Sequence, residues 1–224
     1  MAESKITLMK DTPFEIVESY KTLRTNLLFT LAGGNNKTVV ISSALPAEGK
    51  SLTCANLSAV MAQTESKVIL IDADLRRPVQ SQIFQRDNVR GLSTILAGFD
   101  DFGAAIKKDA IPNLDIITSG PIPPNPSELL GSEKMKNLLN DLQGYYDYIL
   151  MDTPPINLVA DAMVLSNKTA GVVLVARHGQ STFRELTKAI TNLEFSGANI
   201  LGLILNAKKG KSGGYYKYGK YSYN

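Results

Sequence analysis

Cysteine, histidine and long apolar runs are scarce in this chain. Its one cysteine, Cys54, permits neither a disulfide framework nor a cysteine-based metal site, so a reducing compartment is expected. Its one histidine, His178, follows an apolar stretch and reads as a polar loop residue rather than a catalyst. No apolar run approaches bilayer-spanning length, and the N-terminal MAESK lacks the apolar region of a secretory leader, which predicts a cytosolic chain. Acidic residues are missing from 207–224, where five lysines (208, 209, 211, 217 and 220) stand unopposed. The net charge of +3 is therefore a property of the tail. Elsewhere 19 basic residues face 21 acidic ones, a net of −2, which argues against a general nucleic-acid binder. What remains is ordinary: 44% apolar and 20% charged residues, in a length that suffices for one α/β domain.

The most informative stretch is TVVISSALPAEGKSL, residues 38–52. Val39, Val40 and Ile41 form a β-branched run that reads as a strand buried on both faces. The chain then turns through Pro46, Ala47, Glu48 and Gly49 into a helical pattern at Lys50. Backbone N–H groups at such a helix start have no intrahelical partners, and with the helix dipole they favour an anion. In a Walker A loop the lysine reaches the outer phosphates and the following hydroxyl holds Mg²⁺, roles that fall to Lys50 and Ser51. Ala44 replaces the first glycine of that motif, a small change if its φ stays negative. Ala47, Glu48, Gly49, Lys50, Ser51 and Leu52 are thus the expected cradle for a nucleotide.

Two further apolar runs end in acids. VILID closes at Asp72, with Asp74 two residues on and Arg76, Arg77 and Pro78 after it; YILMD closes at Asp152, before Thr153, Pro154 and Pro155. Acids just past the carboxyl ends of parallel strands sit where open α/β sheets place ligands. Lys50, Asp72, Asp74 and Asp152 are the catalytic candidates: the acids bind Mg²⁺ or accept a proton from an attacking hydroxyl. Ser51, Asp72 and Asp152 are the expected metal ligands, and the last is the Walker B position. Asp161 is expected to support the loop after Asp152.

The rest predicts helices over 13–31, 51–64, 127–143 and 182–195, short helices and turns over 79–112, and strands at 114–118, 170–176 and 200–205. Thr12 is the expected cap of the first helix, with Pro13 at its first position. Asn206, at the end of the last strand, is placed to read an adenine edge. The βα alternation predicts a mostly parallel, doubly wound sheet flanked by helices. Residues 208–224, KKGKSGGYYKYGKYSYN, cannot bury a core and are expected to be disordered or ordered only by docking. Their tyrosines offer hydroxyls for phosphorylation, or rings that stack on single-stranded nucleic acid.

SALPAEGKS, ILIDADLRRP, YILMDTPP, the helix face Glu18, Lys21 and Arg24, and the terminal tyrosine cluster together resemble the bacterial tyrosine kinases of capsule and exopolysaccharide assembly, P-loop ATPases related to partition and septum-site ATPases. The resemblance covers nearly all of the chain. It implies ATP and Mg²⁺ as cofactors, and Tyr215, Tyr216, Tyr218, Tyr221 and Tyr223 as phosphoacceptors in a neighbouring subunit. It also implies a homo-oligomeric ring assembled through the helix of residues 13–31. Lys21 stands where the family's interface motif has arginine, so it supplies charge without a bidentate fork. Further partners implied are a transmembrane activator (a chain-length regulator) on a separate chain and a cognate tyrosine phosphatase, with no nucleic acid. The chain would then lie at the inner face of the cell membrane, as a kinase domain (1–207) with an acceptor tail (208–224). Alternatives are a partition-type ATPase switch and a nucleotide-dependent adaptor.

Overall fold

Val39, Val40 and Ile41 are all essentially inaccessible to solvent, and because successive strand residues point to opposite faces, both faces of their sheet must be covered. A computed structural model of the chain, which describes residues 12–207, shows how. In chain order the elements are α1 (Phe14–Leu31), β1 (Thr38–Ser43), α2 (Lys50–Ala62), β2 (Val68–Asp72), α3 (Gln80–Ile83), α4 (Leu92–Ala97), α5 (Phe102–Ala105), β3 (Ile106–Ile111), β4 (Leu114–Ile117), α6 (Pro126–Gly131), α7 (Glu133–Gln143), β5 (Tyr148–Asp152), α8 (Asp161–Ser166), β6 (Gly171–Arg177), α9 (Phe183–Phe195) and β7 (Ile200–Asn206). The strands form one sheet in the order β3-β4-β2-β5-β1-β6-β7, parallel except for β3.

One face packs Val39, Ile41, Leu70, Leu150 and Val175 against Leu27 and Leu31 of α1 and Cys54, Leu57 and Met61 of α2. The other packs Val40, Ile69, Ile71, Met151 and Leu174 against Leu92, Leu130, Leu138, Leu142, Leu165 and Leu193 from α4, α6, α7, α8 and α9. Cys54 is buried with no disulfide partner, as a small apolar residue would be. No described helix is long and apolar enough to cross a membrane.

Three expectations need correction. The helix expected over 127–143 is two helices broken at Ser132, whose ψ of 159° stops α6 while its hydroxyl accepts from the Met135 N–H and caps α7. The stretch 79–112 holds a strand, β3, whose IKKDAI sequence lacks apolar alternation because it is a half-exposed antiparallel edge; its lysines suit an edge that must not recruit other strands. Pro13, not Thr12, is the cap residue of α1, and its ring carries no hydrogen-bonding group with which to cap. Residues 1–11 and 208–224, with the tail and its tyrosines, lie outside the described residues.

Glu18 and Lys21 on α1 form an ion pair of 2.7 Å, both half exposed, of a kind worth at most about 1 kcal/mol. Arg24, expected on the same face, reaches inward: its Nη1 donates to the Val60 carbonyl at 3.0 Å near the end of α2. That places cationic charge beside the helix carbonyls that lack partners and attaches α1 to the helix behind the phosphate loop.

Candidate active site

Sheet order and register decide which residues meet. β5 lies between β2 and β1, with Asp152 paired to Asp72 on one side and to Ile41 on the other. Two acidic strand ends and the loop leaving β1 therefore share one edge, where three apolar runs of similar length stop together.

The loop reaches α2 through two left-handed residues, Ala47 (φ 62°) and Gly49 (φ 90°). Ala44, in place of the motif glycine, is not among the residues with positive φ and is fully buried, so its methyl group is accommodated. The first bond closing the helix runs from Thr53 N–H to the Gly49 carbonyl at 2.9 Å, which leaves the preceding N–H groups at the helix mouth. They border a cleft of about 570 Å³ lined by Ala47, Gly49, Lys50, Ser51, Leu52, Asp74, Arg76, Arg77, Pro154 and Pro155, among others. That volume suits a nucleotide-sized ligand.

The loop is braced from behind by residues that sequence reasoning missed. Glu48, expected at the nucleotide, turns its carboxylate inward, where it accepts from the Leu45 N–H at 2.8 Å and from the Ser181 hydroxyl. Gln180 donates to the Pro46 carbonyl at 3.0 Å. Asn206 Nδ2 donates to the Glu48 carbonyl at 3.0 Å and its Oδ1 accepts from the Ala207 N–H at 2.8 Å, so the amide assigned to an adenine edge is engaged within the protein. A Cβ on Gly49 would collide with Asn206 Nδ2. Gly49→Ala should therefore cost about 1–2 kcal/mol from its left-handed backbone alone, plus the displaced Asn206 contact. Denaturation of Gly49→Ala measured in the wild type and in an Asn206→Ala background separates the two: relative to Asn206→Ala alone, only the backbone cost should remain.

Lys50 closes the cleft floor. Its Nζ donates to Asp74 Oδ2 at 2.8 Å, Asp152 Oδ1 at 3.1 Å and Ser51 Oγ at 3.0 Å. Burial disfavours its charge, but Asp152 and Asp74 outweigh burial and hold its pKa above the ordinary lysine value, so it remains an ammonium. Asp72 is fully buried beneath the cleft; its Oδ1 accepts from the Asp74 N–H at 3.3 Å and its Oδ2 from the Gln80 N–H at 2.9 Å. Burial first, and then the facing Asp152 carboxylate, push it up to about 8 despite the Gln80 N–H. Asp74 completes the set at the cleft wall, its Oδ1 accepting from the Arg77 N–H at 3.0 Å.

The structure thus gathers Lys50, Ser51, Asp72, Asp74 and Asp152 and adds a residue the sequence did not flag. Gln80 Nε2 donates to Asp152 Oδ2 at 2.8 Å and to the Ser51 carbonyl at 3.0 Å. No signal marked it, because a glutamine at the start of a four-residue helix reads as surface. Asp161, expected to support the loop after β5, is buried and accepts from Arg76 at 2.8 and 3.1 Å and from the Ser127 hydroxyl at 2.6 Å. It anchors α8 and α6 to the cleft-lining arginine. Thr153 is tied to β1 through two bonds to the Ile41 carbonyl, from its N–H at 3.1 Å and its hydroxyl at 3.0 Å.

A second cleft of about 470 Å³ lies at the opposite end of the sheet. Its polar groups satisfy one another: Asp115 accepts from Lys108 at 2.8 Å and from the Tyr146 hydroxyl at 2.6 Å. Burial, reinforced by Asp115, pushes the Tyr146 hydroxyl up to about 12, so it stays protonated and unreactive.

The fit of a divalent cation to the first site can be judged from its donors. Among the described residues no three His, Cys, Asp or Glu side chains form a metal cage. Mg²⁺ seldom uses one, binding instead through one or two carboxylates, water and the substrate's phosphates. Hard oxygen donors, Ser51 Oγ and the Asp152 carboxylate, already surround a cation here in the form of the Lys50 ammonium. Gln80 Oε1, buried and accepting no hydrogen bond among the described residues, is a further oxygen acceptor suited to a water of such an ion. The residues fit the ion.

Comparison with known proteins agrees with this geometry. The model of a family described as "AAA domain" matches residues 36–197, which include every site residue named above from Ala44 to Gln180. The tyrosine-protein kinase YwqD of Bacillus subtilis is 44% identical over 192 residues, covering 86% of this chain and 81% of YwqD. The tyrosine-protein kinase wzc of Salmonella typhimurium is 38% identical over 207 residues, 92% of this chain, but the chain spans 29% of the length of that relative. The solved kinase domain of the Escherichia coli tyrosine kinase ETK superposes with a TM-score of 0.85 at 40% identity, covering 91% of this chain and 80% of that one. A nucleotide-binding P-loop beside two acidic strand ends is common to many ATPases, but likeness this extensive to YwqD and ETK is narrower, and by it the chain belongs to the bacterial tyrosine kinases.

Proposed function

We propose that this chain transfers the γ-phosphoryl group of MgATP to tyrosine hydroxyls, foremost Tyr215, Tyr216, Tyr218, Tyr221 and Tyr223 presented by a neighbouring subunit. The observation that carries the reading is the meeting of Lys50, Ser51, Asp72, Asp74 and Asp152 at the mouth of the phosphate loop. Ala47 to Leu52 would cradle the phosphates with their N–H groups, while Asn206 braces the loop. Lys50 would leave Asp74 and Asp152 for the outer phosphates, freeing those carboxylates. Mg²⁺, when bound, neutralises charge that develops on the phosphates, and Ser51 and Asp152, with Asp72 behind them, would hold it. Asp72, buried beneath the cleft and paired with Asp152 across the strand ends, would take the hydroxyl proton as the phosphoryl group leaves ATP. Catalysis would rest on positioning and charge neutralisation rather than on a protein nucleophile.

On this reading residues 1–207 are the kinase domain and 208–224 the acceptor tail. Glu18, Lys21 and Arg24 on α1 would contribute to a ring of identical subunits. A transmembrane activator would hold the ring at the inner face of the membrane, where phosphorylation regulates capsular or exopolysaccharide synthesis and a cognate phosphatase resets it. Phosphate on the tail sets negative charge among its lysines and should loosen docking between neighbours.

The test is to incubate the purified protein with MgATP and map modified residues by mass spectrometry. Phosphate on tyrosines of 215–223 is the expected result. ATP turnover without phosphotyrosine, undiminished on deletion of 208–224, would replace this reading with that of a partition-type ATPase.

A further inference from the structure

Gln80 is fully buried at the start of α3, yet its backbone N–H and its side-chain amide nitrogen both serve the acidic pair. Its N–H donates to Asp72 Oδ2 at 2.9 Å, and its Nε2 donates to Asp152 Oδ2 at 2.8 Å and to the Ser51 carbonyl at 3.0 Å. Its Oε1 is buried and accepts no hydrogen bond among the described residues. The orientation of the amide is fixed by its neighbours. Turned over, the oxygen would face a carboxylate and a carbonyl, two acceptors, with no donor between them. One residue thus contacts both acidic strand ends and the first turn of the phosphate-loop helix while keeping a carbonyl oxygen in reserve. A buried carbonyl left without a donor is costly, so Oε1 calls for a partner.

We propose that Gln80 is a positioning residue for the divalent cation of this site. Nε2 holds Oδ2 of Asp152, which commits Oδ1, now paired with Lys50, to the cation once Lys50 leaves. Oε1 accepts a hydrogen bond from a water of the cation's hydration shell. Mg²⁺ gives up its waters reluctantly, so a buried acceptor placed for one of them raises affinity without entering the inner coordination sphere. The Gln80 N–H meanwhile keeps Asp72 turned toward the same point. This inference rests on the magnesium–nucleotide reading above.

The test reads binding, not turnover. ADP is titrated into the full chain with MgCl₂ and, separately, with EDTA, for the wild type and for Gln80→Met, which keeps the length and removes both polar ends. The wild type should bind ADP more tightly with magnesium. In Gln80→Met that enhancement should fall about 10–100-fold, the usual effect of losing an outer-shell partner, while metal-free ADP affinity stays unchanged. An enhancement equal to that of the wild type, or an equal fall in both affinities as expected from a merely structural role, overturns the proposal. If the wild type itself shows no enhancement, the magnesium reading fails and this inference with it. Should Gln80→Met not fold, Gln80→Asn, which withdraws the amide by one methylene, is measured the same way against the same two results.

Discussion

Lys50→Met is expected to lower tyrosine phosphorylation on the order of 10²–10³-fold or more, the cost of losing a preorganised charge at the transferring group. The same substitution should also destabilise the protein before any nucleotide is present. Lys50 Nζ lies 2.8 Å from Asp74 and 3.1 Å from Asp152, and Asp152 is wholly buried. Removing the cation leaves two carboxylates desolvated and facing one another, a change worth roughly 3–5 kcal/mol when a buried pair is broken from one side. Urea denaturation and a phosphotyrosine assay, run where the variant is still folded, measure the two effects separately. Undiminished phosphorylation by the folded variant, in the absence of any other kinase, would remove Lys50 from the mechanism. Unchanged stability would mean that the two ion pairs contribute nothing.

Asp72→Asn should reduce transfer on the order of 10²–10⁴-fold, the range for loss of a general base, and its effect on stability should run the other way as pH rises. Burial and the facing Asp152 raise Asp72 to about 8 in the folded chain. An unfolded aspartate titrates near about 3.9. Between those values the folded state holds a proton that the unfolded state has lost, so the contribution of this group is fully present below about pH 4 and is lost as pH climbs through 8. The variant has no such group to titrate. It does give up one of the two acceptors that serve the Asp74 and Gln80 N–H groups, a fixed cost of about 1 kcal/mol. Unfolding free energies of the two nucleotide-free proteins should therefore shift in favour of the variant from pH 5 to pH 8. A difference that stays flat across that range would show that Asp72 titrates as an ordinary carboxylate in the nucleotide-free chain.

What the sequence made legible is what periodicity and strand endings encode. Three apolar runs ending at Ser43, Asp72 and Asp152 could be read as buried parallel strands, and strand pairing then brings their ends together whatever the rest of the chain does. The cradle was legible because a helix start after a glycine and before a lysine and serine has one common use. Less local features were not legible. Gln80 acquires its role from partners 29 and 72 residues away. Ser181, Gln180 and Asn206 brace the phosphate loop from more than 130 residues downstream, and nothing in their own neighbourhoods marks them. β3 was missed because an edge strand need not alternate, and the break at Ser132 because the apolar repeat of Leu129, Leu130, Met135, Leu138, Leu139 and Leu142 runs across it. Arg24 shares a face with Glu18 and Lys21 by spacing, yet the packing of α1 on α2 draws it to the Val60 carbonyl.

At the centre of the account is one claim, that the acidic strand ends and the phosphate loop serve a single metal–triphosphate, with Lys50 occupying the cation's place until it arrives. Anomalous diffraction from crystals grown with Mn²⁺ and a non-hydrolysable ATP analogue tests it most directly. One manganese peak is expected beside the Ser51 hydroxyl and the Asp152 carboxylate, with Lys50 withdrawn from Asp74 and Asp152 to the outer phosphates. A peak away from those residues, or an analogue seated in the cleft while Lys50 still bridges the two acids, would contradict it.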